Sequence, residues 1–266
     1  MKDNILGKGA FGVVVLGSLN GRAVAYKKNI KFGVNDLLRN EREVNFLKKL
    51  NSSRYTVDFI NLMDLPIIFM ELMAGSVRHL LDKNPNLSWK TKLLIAIQMF
   101  EAIDYLHHFS LNSGYFSLFF QQPIVHQDIK SDNLLVNTLE DDPNIMVKLC
   151  DFGNARQMDQ ISIPMIGTFC LRWHHGTFGG SRYHAAPEIV RAMLDKTDCC
   201  ELGSDVFSAG VTLWEIATGE RPSRTLHPRA GFFSPVIEKC TKSNVKDRIS
   251  ARQALKNLRG IQIGPS

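Results

Sequence analysis

Cysteines are few in this sequence of 266 residues, and they follow no recognisable pattern. The five cysteines include the adjacent pair Cys199 and Cys200, but none is separated from another by the two residues of a Cys-x-x-Cys motif. An odd number without such spacing argues against both a disulfide framework and a zinc ribbon. We therefore expect a reducing compartment, and the cytoplasm is the simplest one.

Long apolar segments and basic clusters are absent as well. No uncharged apolar run approaches the ~18 residues of a transmembrane helix, and the first residues, MKDNILG, lack the apolar core of a secretory leader. The net charge of +6 fits phosphate-bearing ligands, yet no run of five basic residues occurs. We therefore expect no membrane span and no nucleic-acid partner.

What the sequence does contain divides into a strand-rich first part and a mainly helical second part. β-Branched residues predict a strand at Val13–Leu16, and after the turn signal Asn20-Gly21 a second strand covers Arg22–Lys27. Apolar spacing predicts a helix over Asn35–Leu50, and Thr56–Met73 predicts two short strands. The change to the second part falls near residues 73–75.

After this point the helical pattern dominates. Predicted helices cover Val77–Asp82, Trp89–His107, Asp205–Thr218 and Ser250–Leu258. Residues Phe152–Ala185, rich in Gly, Thr and His, predict a long loop.

Three glycines, Gly7, Gly9 and Gly12, form the first motif that indicates ligand binding. A dinucleotide-binding fingerprint opens a helix after its third glycine, whereas β-branched residues follow Gly12 here. The pattern therefore favours a strand–turn–strand unit whose backbone N–H groups approach phosphate oxygens, although glycine triplets also occur in plain turns. Lys27 ends the next strand, and Glu43 on the predicted helix is a candidate ion-pair partner; ordinary surface charges are the alternative for both.

The second motif combines two carboxylates and an amide near strand ends. The sequence His-Gln-Asp-Ile-Lys-Ser-Asp-Asn at residues 126–133 follows the apolar pair Ile124-Val125. The triplet Asp151-Phe152-Gly153 comes after two further short apolar runs. Such a set can bind Mg²⁺ and orient a hydroxyl group.

In this order and spacing, the motifs resemble those of the eukaryotic protein kinase family, over nearly the whole chain. Ala186-Pro187-Glu188 resembles the end of the family's activation segment, Asp205-x-x-Ser208-x-Gly210 its buried helix, and Arg248 the arginine that pairs with Glu188. The resemblance implies an α+β fold of two lobes in one kinase domain. The small β-rich N-lobe with one helix would cover residues 1–73, and the larger, mainly helical C-lobe residues 74–266.

The resemblance also implies a role for each site residue. Lys27 would bind the α- and β-phosphates of ATP while Glu43 holds it in place, and Asp128 would accept the proton of the attacking hydroxyl. Lys130 would lie near the γ-phosphate, and Asn133 and Asp151 would bind Mg²⁺. The implied nucleotide site comprises Leu6, Gly7, Gly9, Gly12, Val14, Ala25, Lys27, Glu71, Met73 and Leu135, with Met70 as gatekeeper.

The implied activity is ATP- and Mg²⁺-dependent transfer of the γ-phosphate to Ser or Thr hydroxyls of protein substrates. Lys130, two residues after Asp128, resembles the Ser/Thr branch, because the tyrosine branch usually has Ala or Arg in that stretch. Ser181 stands where the Ser/Thr branch has a threonine. Two alternatives stay open: a tyrosine or dual-specificity kinase, and a pseudokinase that acts as a scaffold, binding nucleotide or partners without efficient catalysis.

The sequence departs from the family's pattern at four places. Gln127 stands where most members have an arginine before Asp128. Residues 108–123 form an insertion with an aromatic centre, the segment between Asp151 and Glu188 is long, and few residues separate Pro222 from Phe232. These departures bear on folding efficiency and substrate docking more than on the catalytic residues.

Overall fold

A computed structural model describes residues 4–9, 12–30, 33–63, 67–109, 123–158, 183–195, 197, 199–223 and 230–263. The side chains of residues 35, 62 and 63 are outside this description. The aromatic centre of the predicted insertion and Ser181 also lie outside the described residues.

The first part of the chain forms an antiparallel sheet with one helix. Its strands, in chain order, are β1 Ile5–Lys8, β2 Gly12–Leu19, β3 Arg22–Asn29, β4 Phe59–Met63 and β5 Ile67–Met70, arranged as β1-β2-β3-β5-β4. Asn20 and Gly21 both have positive φ, 51° and 79°, as a tight turn between twisted strands requires. The helix α1, Val34–Lys49, buries Val44, Leu47 and its C-cap residue Leu50 in the core.

The second part is mainly helical. Its helices are α2 Val77–Lys83, α3 Trp89–His107, α4 Pro187–Asp195, α5 Leu202–Thr218, α6 Ser234–Cys240 and α7 Ala251–Arg259. Nearly every residue of α5 is buried, including the charged Asp205 and Glu215, so this helix forms the centre of the helical core. Ser88 and Ser250 cap α3 and α7 by accepting backbone N–H groups through their hydroxyls, as expected of serine before a helix.

Two small sheets contain the four strands that the structure describes between α3 and α4, together with one strand that precedes α2. Strands β6 Gly75–Ser76, β8 Leu134–Val136 and β9 Val147–Leu149 form one antiparallel sheet, and β7 Ile124–Val125 pairs with β10 Arg156–Gln157 in the other. Their connections end in two single 3₁₀ turns, Ser131–Asn133 and Phe152–Asn154. Asn133 of the second sequence motif lies in the first turn, and Asp128 and Asp151 precede the first and the second turn, respectively.

The predicted α+β class, with its strand-rich first part and helical second part, is confirmed. Helix α5 begins at Leu202, three residues before the predicted start, and neither α4 nor α6 was predicted. The division at residue 73 stays a prediction. Within the described residues, no helix is both long and apolar enough to span a membrane.

A buried ion pair joins the start of α4 to the turn before α7. Arg248 donates to Glu188 through both terminal nitrogens, at 2.6 and 2.7 Å, and to the carbonyls of Gly203 and Lys242 at 2.9 and 2.7 Å. The Arg248 side chain has no exposed surface. Burial alone raises the pKa of Glu188, but the bonds from Arg248 and Ser204 outweigh it, so the pKa is lowered.

We predict that Arg248→Met lowers the free energy of unfolding by about 3–5 kcal/mol, because it leaves Glu188 without its buried cation. The control is Arg252→Met: Arg252 is 63% exposed and lies 3.3 Å from Asp104, so its loss should cost at most about 1 kcal/mol. Urea unfolding of both variants tests this expectation. Similar losses in the two variants would contradict it.

Candidate active site

One buried carboxylate on α5 anchors the loop of residues 126–133, which contains Asp128. Asp205 of α5 accepts the backbone N–H groups of His126 and Gln127 at 2.7 and 2.8 Å, and His107 Nε2 lies 3.2 Å from the same carboxylate. Gln127 has a φ of 63°, which a non-glycine residue adopts only when its surroundings hold it. The Asp205 contacts supply that restraint at the residue before Asp128.

Asp128 is oriented by two neighbours on the same loop. The Lys130 ammonium lies 3.2 and 3.1 Å from its two carboxylate oxygens. Asn133 Nδ2 donates to the Asp128 carbonyl at 2.8 Å, which directs the Asn133 amide oxygen to the opposite side. The structure therefore brings together Asp128, Lys130 and Asn133 as the sequence predicts.

Asp151 lies across the small sheet from Asn133. The N–H of Cys150 donates to the Asn133 carbonyl at 3.0 Å, and Leu134 pairs with Leu149, so the two predicted metal ligands flank the same pair of strands. Asp151 has a φ of 61° and begins the turn Phe152–Asn154. Phe152 is buried against the His126 ring, with 4.9 Å between ring centroids.

Lys27 joins the first part of the chain to Asp151. Its ammonium lies 2.7 Å from both carboxylate oxygens of Glu43 and 3.1 Å from Asp151 Oδ1. Burial lowers the pKa of Lys27, but the charges of Asp151 and Glu43 outweigh it and the pKa is raised. Burial likewise raises the pKa of Asp151, and Lys27 and Arg39 outweigh it, so the pKa of Asp151 is lowered. This aspartate is therefore an anion at neutral pH.

Burial is also the largest influence on Glu43. It raises the pKa of this carboxyl, and the facing Lys27 ammonium acts against it. The Glu43 side chain is only 2% exposed, so Lys27 is the cation that makes its buried charge tolerable.

The predicted nucleotide-binding residues of the sheet share one face. Val14 pairs with Lys27 across β2 and β3, and Ala25 lies two residues before Lys27 on the same strand. Directly paired residues and residues two apart point to the same side of a sheet. Met70 pairs with Ala25, so the predicted gatekeeper lies beside them, and Leu135 pairs with Ser76 just after the β5–β6 connection.

The glycine motif makes the predicted strand–turn–strand. Gly9 donates to the Gly12 carbonyl at 2.9 Å between β1 and β2. A Cβ on Gly12 would lie 2.7 Å from the Lys28 carbonyl oxygen, so only glycine fits there. A Cβ on Gly7 would meet no atom within 4 Å, which leaves the space beside its backbone open to a ligand. Leu6, which precedes it, is 47% exposed.

Glu71 has contacts that the sequence did not indicate. Its N–H donates to the Asp58 carbonyl at 3.0 Å, and its carboxylate accepts from Lys148 at 2.6 Å. Lys148 also lies 3.2 Å from the Asp58 carboxylate. In the predicted hinge, Glu71–Met73, the Glu71 N–H is therefore hydrogen-bonded within the protein. Met73 is half-buried.

The donor set of Asn133 and Asp151 fits Mg²⁺. This ion prefers oxygen ligands and is usually bound by one or two carboxylates together with substrate phosphates. In the described part of the chain, no group of three or more His, Cys, Asp or Glu is arranged to hold a metal by itself. The site would therefore hold Mg²⁺ jointly with a phosphate ligand, for which Lys27 supplies a further positive charge.

Sequence reasoning missed Arg39, Lys148 and the side-chain partner of Gln127. Arg39 Nη2 lies 3.4 Å from Asp151 Oδ1, and Gln127 Nε2 donates to the Cys199 carbonyl at 3.1 Å. The spacing of Arg39 and Glu43, four residues apart on one helix, was the signal available for the first, because such residues share a face.

Comparison with a family model matches residues 1–231 to the protein kinase domain. Among curated relatives, the RasGEF domain-containing serine/threonine-protein kinase X of Dictyostelium discoideum is 32% identical over 230 residues, which are 85% of this chain and 20% of that protein. The calmodulin-binding receptor-like cytoplasmic kinase 1 of Arabidopsis thaliana is 30% identical over 265 residues, 96% of this chain and 47% of that protein.

A third relative resembles this chain over most of its own length. The serine/threonine-protein kinase ppk11 of Schizosaccharomyces pombe is 28% identical over an alignment 282 positions long, which covers 95% of this chain and 78% of that protein. The first two relatives are longer, and the chain spans less than half of each.

We predict that Lys27→Met lowers the free energy of unfolding by about 3–5 kcal/mol at neutral pH, because Glu43 is left buried without a cation. The double variant Lys27→Met/Glu43→Gln should recover much of this loss. Urea unfolding of both variants provides the measurement. Equal stabilities of the single and double variants would contradict the expectation.

The pH dependence gives a second reading of the same variants. With its pKa raised above that of the unfolded chain, Glu43 binds its proton more readily in the folded state. Folding is therefore favoured as the pH falls and disfavoured as it rises through the raised pKa. The deficit of the single variant should shrink below neutral pH, whereas the double variant should not show this recovery.

Proposed function

The chain belongs to the protein kinase family, and from this premise we propose that it transfers the γ-phosphate of ATP to Ser or Thr hydroxyls of protein substrates with Mg²⁺. The predicted family and enzyme class are confirmed by the family match over residues 1–231. The finer statements, on ATP, Mg²⁺ and the acceptor residue, are our proposal.

One arrangement carries this proposal. Lys27 is held by Glu43 and contacts Asp151. In the loop of residues 126–133, Asp128 is held by Lys130. A cation for the phosphates, a metal ligand and a proton acceptor thus meet at the place where the sheet faces the helical part. These are the parts that phosphoryl transfer needs, since its catalysis is mostly positioning and charge stabilisation.

Each residue would contribute one task. Lys27 would bind phosphate oxygens, and Asn133 and Asp151 would hold Mg²⁺, which neutralises charge on the phosphates when bound. Asp128 would orient the acceptor hydroxyl and take its proton, and Lys130, 3.1 Å from Asp128, would stabilise charge on the transferred group.

The Ser/Thr preference rests on Lys130 and on the relatives. Lys130 has the place in the catalytic loop that resembles the Ser/Thr branch, and relatives from three organisms are named serine/threonine-protein kinases or receptor-like cytoplasmic kinases. A protein with an accessible Ser or Thr is therefore the substrate class that we propose.

We predict that the protein with Mg²⁺ and ATP phosphorylates Ser and Thr in a peptide library, as read by mass spectrometry. Asp128→Asn, which removes the proton acceptor, should abolish transfer. Phosphotyrosine as the sole product would contradict the Ser/Thr preference. No product from the wild type would favour the scaffold alternative.

A thermal-shift titration with Mg²⁺ and ATP separates binding from catalysis in the same proteins. A ligand that binds the folded state raises the apparent melting temperature. Asp128→Asn should keep this shift, whereas Asp151→Asn, which loses a negative metal ligand, should reduce it. Equal loss in both variants would contradict the two roles.

Gln127 bears on regulation of the same site. In most of the family an arginine at this place pairs with a phosphorylated residue of the activation segment, because a phosphate carries about −1.5 to −2 charges and needs a cation. Gln127 has no charge, and its amide is engaged with the Cys199 carbonyl at 3.1 Å. We therefore propose that activity does not depend on phosphorylation of Thr168, Thr177 or Ser181, which lie outside the described residues.

We predict that phosphatase treatment of active protein leaves peptide phosphorylation unchanged after the phosphatase is removed. The assay should be short enough to limit renewed autophosphorylation. A loss of about tenfold or more, or about 1.4 kcal/mol in the transition state, that rephosphorylation restores would refute this proposal. Arg156 and Arg172 are the cations of the segment that would then be examined first.

A further inference from the structure

Besides Lys27 on β3, a second cation faces Asp151, the proposed metal ligand, and it belongs to helix α1. Arg39 lies one turn before Glu43, so both side chains project from the same face of α1. Arg39 Nη2 lies 3.4 Å from Asp151 Oδ1, and Arg39 Nη1 donates to Asn154 Oδ1 at 2.9 Å. The Arg39 side chain is only 12% exposed, so these contacts are shielded from solvent.

Arg39 also lies against the backbone between these two partners. A Cβ built on Gly153 would be 2.5 Å from Arg39 Nε and 3.0 Å from its Cγ. Any side chain at residue 153 would therefore push Arg39 away from Asp151 and Asn154. The glycine of the Asp151-Phe152-Gly153 triplet is fitted to an arginine that lies 114 positions earlier in the sequence.

The two cations approach one oxygen of the aspartate. Lys27 Nζ and Arg39 Nη2 lie 3.1 and 3.4 Å from Asp151 Oδ1. Contacts to one oxygen from two directions fix the rotation of the carboxylate and direct Oδ2 away from α1. The Asp151 backbone, at a φ of 61°, needs such support from its surroundings.

We propose that Arg39 is a positioning residue, which holds Asp151 and the turn Phe152–Asn154 in the orientation that binds Mg²⁺. This proposal rests on the proposed phosphoryl-transfer function. Because Arg39 contacts both Asp151 and Asn154, its removal would release the aspartate and the end of the turn together.

A rival role for Arg39 makes the opposite prediction. If Arg39 only neutralises Asp151 until Mg²⁺ displaces it, its removal makes the site more negative and Mg²⁺ binds more tightly. If Arg39 positions Asp151, its removal weakens Mg²⁺ binding and slows turnover, because residues that orient a metal ligand typically affect affinity or activity by about 10- to 100-fold.

The experiment compares Arg39→Met with Lys48→Met in otherwise unchanged protein. Lys48 lies on the exposed side of the same helix, with its ammonium 5.6 Å from the Phe59 ring centroid. Arg39→Met should lower kcat and raise the Mg²⁺ concentration at half-maximal rate by at least about tenfold each. Lys48→Met should leave both values within about twofold of the wild type.

Two further variants separate the charge of Arg39 from the geometry of its contacts. Arg39→Lys keeps a cation but lacks the planar fork that contacts Asp151 and Asn154 together, so it should recover the Mg²⁺ dependence only in part. Asn154→Ala should change both values in the same direction as Arg39→Met. In the double variant Arg39→Met/Asn154→Ala, the change in each value should be smaller than the sum of the changes in the two single variants, as expected of residues in direct contact.

Hydrogen exchange provides a readout that needs neither nucleotide nor metal. In the free protein, Arg39→Met should speed exchange of the backbone amides of residues 152–157 by about tenfold or more relative to Lys48→Met, because local opening of this turn becomes easier. Unchanged exchange together with an unchanged Mg²⁺ dependence would overturn the proposal. A lower Mg²⁺ concentration at half-maximal rate in Arg39→Met, together with an unaltered kcat, would also overturn the proposal.

Failure of the proposed function gives a different pattern. A wild type that transfers no phosphate refutes phosphoryl transfer. The positioning role is still supported if Arg39→Met, but not Lys48→Met, then speeds exchange and removes the thermal shift caused by Mg²⁺ and ATP. If neither changes, the positioning role is refuted as well.

Discussion

The contacts of the buried Asp205 carboxylate are the interaction on which the loop of residues 126–133 depends. This carboxylate accepts two consecutive backbone N–H groups, from His126 and Gln127, and a contact from His107. A carboxylate with no exposed surface is costly unless its oxygens are satisfied in this way. The same contacts turn the backbone at Gln127 so that Asp128 and Lys130 follow in the orientation observed. Helix α5 is therefore the platform of the site, although none of its side chains belongs to the predicted catalytic set.

Charge in the cleft is arranged as a chain of alternating signs. Glu43 holds Lys27, Lys27 and Arg39 hold Asp151, and Lys130 holds Asp128. Each member is at least partly buried, so removing one leaves its neighbour as an uncompensated charge in a poorly solvated place. The arrangement of these side chains and the local stability are thus maintained by the same contacts.

The sequence predicted those parts of the site that lie in short, contiguous motifs. Asp128, Lys130 and Asn133 share one loop, and the family resemblance assigned Lys27 and Val14 to the strands on either side of the turn at Asn20-Gly21. Arg39 was not assigned, because its partners Asp151 and Asn154 lie 112 and 115 positions away, and its four-residue spacing from Glu43 indicates a shared helix face but not what that face contacts. Helix α5 was predicted to start too late because Ser204 and Gly203 weaken its apolar pattern.

The Lys148 contact gives the connection between the two parts of the chain a mechanical property. Lys148, on β9, grips Glu71 at 2.6 Å and Asp58 at 3.2 Å, and its pKa is raised because these contacts outweigh the opposing influence of burial. A charge-assisted hydrogen bond thereby joins the residue after β5 to strand β9 of the second part of the chain. Because Glu71 is bound to β9 and the Ala74 N–H donates to the Val136 carbonyl at 2.9 Å, any rearrangement of this connection that keeps both contacts is confined to Leu72 and Met73.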